Sequence, residues 1–370
     1  MNDRLLRRDF DFAVPTELIA QRPLEDRDGS RLLVRAANGT VTHRHIRDLT
    51  SELPADTLLI LNESKVFPSR IHGHLRSGGA IELFLMTATG EGQWQALARP
   101  MRKLKPGTEV VLAGGLVATI IGRQSGSDAE AAAPTVEIAV PLSNAEFNTW
   151  LDQHGTMPLP PYIAREVKEA PALTALDRER YQTVYARERG SVAAPTAGLH
   201  FTDSLLESLR SRGVERAEVC LHVGGGTFLP VKADDPALHV MHEERISIPR
   251  QTIAKLLAAR QAGRPVVAVG TTTLRALESV YRLAGSLEAM PDFADRWFET
   301  SLFLRPERRK DRYRPKVIDG LMTNFHQPSS TLFMLVSALI GVDEAQAMYA
   351  AAFAERYRIF SYGDAQLLWL

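Results

Sequence analysis

The texture of the chain changes twice, and this change limits the fold more than any single motif does. Across 70–140 the runs IHGHLR, AIELFLM, WQALA, EVVLAGGLVATII and TVEIAV are short and strand-like. Glycine-rich turns separate them, and no helical period intervenes. Elsewhere buried strands alternate with helix-length stretches such as TDSLLESLRSRG and QTIAKLLAARQAG. The expectation is an α/β main domain, 1–69 and 151–370, interrupted by an inserted small all-β, barrel-like domain over 70–150. A chain of 370 residues is long enough for two such cores. The apolar run 331–342 falls short of the roughly 18 residues of a membrane span and reads as a buried helix.

Lys plus Arg and Asp plus Glu both number 44, so the net charge is zero and a polyanionic partner must be met by local patches. Two stretches qualify. ARPMRKLKPG crowds Arg99, Arg102, Lys103 and Lys105 into one loop, and in TSLFLRPERRKDRYRPK the cations, Arg308, Arg309 and Lys310 among them, surround Tyr313. Phosphates need cations and unstacked bases need aromatic faces, so both suit a nucleic acid, and both also read as solvated loops. A single cysteine, Cys220, excludes an internal disulfide framework and fits a reducing cytoplasm. The opening MNDRLLRRDFDF has no apolar core of a signal peptide. A cytoplasmic monomer with no membrane partner is expected.

The chemistry-bearing residues fall at element ends. LHVGGGTFLPV runs from a short strand into Gly224, Gly225 and Gly226, which form a tight turn or a backbone cradle for an anion. About a dozen residues later His239, His242 and Glu243 supply groups that move protons near neutral pH. His239 and His242, three apart, would share a helical face, yet no H-E-x-x-H order accompanies them and no metal is expected. Thr271, Thr272 and Thr273 open a helix, as caps or as an anion site. Arg275 follows in the first turn, where it opposes the helix dipole unless an anion is beside it. AAPTAGLHF carries Thr196 and His200 among residues small enough for close approach, and a lone His200 reads first as a core histidine. Asn324, His326, Ser329, Ser330 and Thr331 cluster after a strand, and Tyr362 and Asp364 flank Gly363 in a last turn.

Taken together, AAPTAGLHFT, LHVGGGTFLPV, HVMHEE, VGTTTLRALES, TNFHQPSSTLFMLVSALIG and RIFSYGDA resemble the S-adenosylmethionine:tRNA ribosyltransferase-isomerases of queuosine synthesis. DFDFAVPTELIAQRP, LILNESKVFPSR and MPLPPYI fall in the same order, so the resemblance runs almost end to end. It implies transfer of the ribosyl part of S-adenosylmethionine, as cosubstrate, to 7-aminomethyl-7-deazaguanine at the wobble position of tRNA. The products would be epoxyqueuosine-tRNA, adenine and methionine. On this reading His239, His242 and Glu243 carry protons, with His200 and His326 as further candidates. Gly224, Gly225, Gly226 and Thr227 cradle the cosubstrate, Thr271, Thr272 and Arg275 hold its carboxylate, and Asn324, Tyr362 and Asp364 complete its site. Two departures stand out: Leu229, where many members have glutamine, and the basic RPERRKDRYRPK in place of a short YPGY-type turn. The rival classes are another S-adenosylmethionine-dependent tRNA-modifying enzyme and a noncatalytic tRNA-binding protein.

Overall fold

The structure is a computed structural model that describes residues 4–124, 134–165, 170–225 and 231–370. Among them nine strands form one mixed sheet, in the order Phe298–Thr300, Glu244–Ser247, Glu215–His222, Leu58–Asn62, Val266–Val269, Gly320–Asn324, Ala365–Trp369, Arg31–Arg35 and Val41–His45. The third to sixth of these run parallel. Leu58–Asn62, Val266–Val269 and Gly320–Asn324 are buried at every position, as parallel strands covered on both faces must be. Their side chains alternate between two cores. Leu58, Ile60, Val266 and Ala268 pack with helices Arg250–Gln261 and Thr271–Ala284, whereas Leu59, Leu61, Val267 and Val269 pack with helix Asp203–Ser211.

The apolar run 331–342 is divided where a continuous helix was expected. Ser330 caps helix Thr331–Ile340 by accepting the Phe333 N–H at 3.2 Å, and Gly341, at φ 94°, ends it. Helix Val342–Ala354 then departs at 112°. No single helix among the described residues is long and apolar enough to cross a membrane.

The inserted module is a closed antiparallel barrel of six strands: Thr135–Ala139, Gln93–Arg99, Ala80–Gly90, Arg70–Leu75, Glu109–Leu112 and Val117–Gln124. Ile81, Leu83 and Leu85 from one strand, and Trp94, Ala96 and Ala98 from the next, fill its interior. Helix Asn144–His154 plugs it with Phe147 and Leu151, and Trp94 meets Phe147 edge-on at 5.8 Å. Ser143 starts that helix with a capping box to Glu146. The chain enters and leaves the barrel side by side. Arg70 and Thr156 exchange both backbone hydrogen bonds, at 3.2 and 2.8 Å. The architecture is therefore an α/β domain with an inserted β-barrel, as the alternating texture implied.

Candidate active site

The parallel strands all end at one edge of the sheet, where open α/β sheets hold ligands. There a cavity encloses about 820 Å³ of empty space, partly open to solvent. Polar side chains tie the strand ends together beneath it. Asn62 accepts the Leu221 N–H and donates to the Leu221 carbonyl, both at 3.0 Å, and reaches the Thr272 hydroxyl at 3.4 Å. Ser191 donates to Ser64 at 2.8 Å and accepts the Val223 N–H at 2.9 Å.

Helix Thr271–Ala284 points its N-terminus at this cavity. Gly270, at φ 90°, precedes it and offers no side-chain cap, while Thr273 donates back to the Val269 carbonyl at 2.7 Å. Thr271 and Thr272 line the cavity, beside first-turn N–H groups of the kind that bind anions. Arg275 is buried in the same turn. Its Nε donates to the Leu302 carbonyl at 2.9 Å, Nη1 binds Glu244, and Nη2 is buried with no hydrogen-bond partner among the described residues. Glu244 in turn accepts the Gly224 N–H at 3.0 Å. The anion that the position of Arg275 demanded is thus a carboxylate of the chain itself.

The carboxylate beside the cavity lies one residue beyond the Glu243 of the sequence reading. Glu243 is exposed; Glu244 is buried and faces the cavity. In strand Glu244–Ser247 the buried positions are Glu244 and Ile246, and Ile248 continues the series. A period of two read through EERISI would have turned Glu244 inward with the isoleucines. The helical face proposed for His239 and His242 is absent, because the short helix Pro236–Leu238 stops before either histidine. The two nevertheless line one smaller pocket that adjoins the first through Glu244, Arg275 and Leu332. Burial, then the neighbouring His242, lowers the pKa of His239, whose ring meets Phe303 edge-on at 5.7 Å.

His326 lines the main cavity. Its Nε2 is 2.9 Å from the Thr323 hydroxyl, its backbone N–H donates to the Tyr349 hydroxyl at 2.8 Å, and burial lowers its pKa to about 3. Asn324 also lines it. Its Nδ2 lies 3.2 Å from Nε2 of His200 and donates to the Phe360 and Asp364 carbonyls, and its Oδ1 is buried with no partner among the described residues. His200 stands behind Asn324, outside the cavity lining, with its pKa lowered by burial to about 4. An Nε2 that accepts from Asn324 fixes the neutral tautomer and orients the amide. The last turn likewise does structural work. Asp364 accepts the backbone N–H groups of Arg31 and Arg358 at 2.9 and 2.7 Å, and Tyr362 donates to Asp177 at 2.9 Å, so neither lines the cavity. Tyr162, from MPLPPYI, does line it, 2.6 Å from the Ser361 hydroxyl. Sequence reading missed it because a proline-rich segment gives no period from which to infer a facing. Gly226, Thr227 and Leu229 lie outside the described residues.

The two basic stretches part company. Arg99, Arg102, Lys103 and Lys105 are exposed on the barrel. In the second stretch Arg309 pairs with Asp343 at 2.6 Å and Asp9 at 3.1 Å, and Arg312 pairs with Glu344 at 3.0 Å. Tyr313 gives its hydroxyl to the buried Glu278 and packs against the main core, so its ring is not free to stack on a base. Arg308 and Lys310 remain exposed.

A family model described as queuosine biosynthesis protein matches residues 7–368. The chain belongs to that family. It is 45% identical over 368 residues to the S-adenosylmethionine:tRNA ribosyltransferase-isomerase of Dinoroseobacter shibae, covering 97% of each chain. It is 43% identical to the protein of the same name from Thermotoga maritima, covering 97% of this chain and 98% of that one. The crystal structure of S-adenosylmethionine tRNA ribosyltransferase from Thermotoga maritima aligns with 97% of this chain and 99% of its own, at 35% identity and a TM-score of 0.50.

Proposed function

We propose that the chain transfers and isomerises the ribosyl part of S-adenosylmethionine onto 7-aminomethyl-7-deazaguanine at the wobble position of tRNA. The products are epoxyqueuosine-tRNA, adenine and methionine. The family match across 7–368 carries this reading, and the cavity suits a zwitterionic sulfonium cosubstrate. Thr271, Thr272 and the open Nη2 of Arg275 would take the methionine carboxylate, with Gly224 and Gly225 backing the ligand. Asn324 offers its polar groups a carbonyl oxygen that has no partner among the described residues. A ribose carbon bonded to positive sulfur is acidic, so a placed base starts the rearrangement, and adenine leaves more readily when protonated. We assign those proton transfers to His239, His242 and Glu244, with His326, held neutral, as hydrogen-bonding partner. His200 acts through Asn324 as a positioning residue. This chemistry calls on side chains and on no metal.

RNA would lie along the exposed Arg99, Arg102, Lys103 and Lys105, with Arg308 and Lys310 as outlying cations. The proposal keeps the division into 1–69 with 151–370 and an inserted 70–150, and the expectation of a cytoplasmic monomer. Chromatography of the small products after incubation with S-adenosylmethionine and the modified tRNA tests the reaction. Adenine and methionine support it. S-adenosylhomocysteine would indicate methyl transfer, and unconsumed cosubstrate beside bound tRNA would indicate a noncatalytic binder. His242→Ala and Glu244→Ala should each slow adenine release by about 100-fold or more; an unchanged rate in both removes these residues from the chemistry.

A further inference from the structure

The main cavity has two unlike ends. Thr271, Thr272 and Arg275 line it just after strand Val266–Val269, whereas Phe360 and Ser361 line it in the turn that leads into strand Ala365–Trp369, two places further along the sheet. At about 4.8 Å per strand the two ends stand about 10 Å apart within one cavity. The first end supplies hydroxyls and a cation. The second is aromatic: Tyr162 and Phe360 both line it, with ring centroids 4.8 Å apart.

Phe360 is held where a bulky residue rarely sits, at φ 72° in the left-handed region. Its carbonyl accepts from the Asn324 side chain at 3.2 Å and from the Gly363 N–H at 2.9 Å, so the turn is fixed from two sides. Strain of this kind persists where the surroundings enforce it, and ligand clamps are one such place. Tyr162, half-buried beside it, follows shortly after Thr156, where the chain leaves the barrel. That segment joins the cavity to the module whose exposed cations meet RNA in the proposed function. The Tyr162 and Ser361 hydroxyls are 2.6 Å apart, and desolvation pushes the Tyr162 pKa up to about 12, so it stays protonated at neutral pH. One of the two hydroxyl protons bridges the pair, and the other is left to donate to a ligand. An aromatic wall with a hydroxyl donor at its rim is what an extruded base needs, a face to stack on and a group to read its edge.

We propose that this aromatic end of the main cavity seats the acceptor base, with its ring stacked on Tyr162 and its carbonyl oxygen bound by the Tyr162–Ser361 hydroxyl pair. The inference rests on the proposed function and adds to it the place of the second substrate. A cosubstrate anchored by its carboxylate at Thr271, Thr272 and Arg275 extends its methionine chain and ribose along the same cavity. The aminomethyl amine of the seated base therefore meets the ribosyl group without a wall between them. The other flat ring in the reaction is the cosubstrate's own adenine, and the test separates the two occupants.

The test uses the full chain and two tRNAs that differ only at the wobble position, one with 7-aminomethyl-7-deazaguanine and one abasic there. Binding of tRNA is read by fluorescence anisotropy, and binding of S-adenosylmethionine, without tRNA, by calorimetry. The wild type should prefer the base-bearing tRNA by about tenfold or more, the size of one base stacked on an aromatic ring. Tyr162→Ala should bind both tRNAs as the wild type binds the abasic form, with cosubstrate affinity unchanged. Tyr162→Phe, which keeps the ring and loses the hydroxyl, should give up no more than about threefold of the preference. A Tyr162→Ala variant that still discriminates, or that weakens for both tRNAs equally, would overturn the assignment. Loss of cosubstrate affinity in its place would put adenine on this wall and overturn it too, as would a Tyr162→Phe variant that falls as far as Tyr162→Ala. Failure of the functional reading shows separately, as wild-type protein that releases no adenine from modified tRNA and S-adenosylmethionine.

Discussion

Replacing Glu244 by alanine leaves the Arg275 guanidinium buried without its carboxylate and takes the acceptor from the Gly224 N–H. Both side chains are only about 5% exposed, so solvent cannot compensate the charge. Removing one partner of such a buried pair costs about 3–5 kcal/mol. At about 2.1 cal/mol/K per residue, 370 residues give an unfolding entropy of about 0.8 kcal/mol/K. The melting temperature should then fall by about 4–6 °C, measured by circular dichroism at neutral pH. Glu244→Ala combined with Arg275→Met removes the stranded charge as well, and should be less destabilising than Glu244→Ala alone. A single variant melting within about 1 °C of wild type, or a double variant equal to the sum of two large losses, would refute the assigned pairing.

Burial holds His200 and His222 at about 4 and His326 at about 3, against about 6.5 in an unfolded chain. The unfolded state therefore gains protons first, so stability is full above about pH 6.5 and declines as pH falls from there toward 4. Each histidine contributes up to about 1.4 kcal/mol per pH unit; melting should fall between pH 6.5 and 5, and His200→Gln should flatten the decline. At Gly198 an added Cβ would meet the Tyr185 hydroxyl at 2.1 Å. Gly198→Ala should cost about 1–3 kcal/mol in urea denaturation, and Tyr185→Phe should recover part of it, since that hydroxyl has no hydrogen-bond partner to lose among the described residues. Arg102→Ala and Lys105→Ala should each weaken tRNA binding and lower the slope of log K against log salt by about 0.7–0.9. Arg309→Ala, whose cation is already paired with Asp343 and Asp9, should leave that slope unchanged.

Period and texture made the architecture legible, because both report burial directly. Short strand-like runs such as AIELFLM, separated by glycine-rich turns, marked the barrel, and uninterrupted apolar runs marked the parallel strands. The same signals failed where burial was not the issue. His239 and His242 looked helical by spacing alone, yet no apolar period supported a helix there, and the chain passes them as a loop. Tyr313 looked like a stacking platform in a basic run, but its hydroxyl is committed to Glu278, 35 residues away, a pairing that only the tertiary fold creates. Glu244 was within reach of a strand reading and was lost by taking the nearer glutamate of the pair.

The doubled crossing at Arg70 and Thr156 bears on how the two modules can travel relative to each other. A single tether would let the barrel spin as well as tilt. Two lengths of chain laced by reciprocal hydrogen bonds resist spinning, since rotation about their common axis would part the lacing, whereas a tilt leaves it whole.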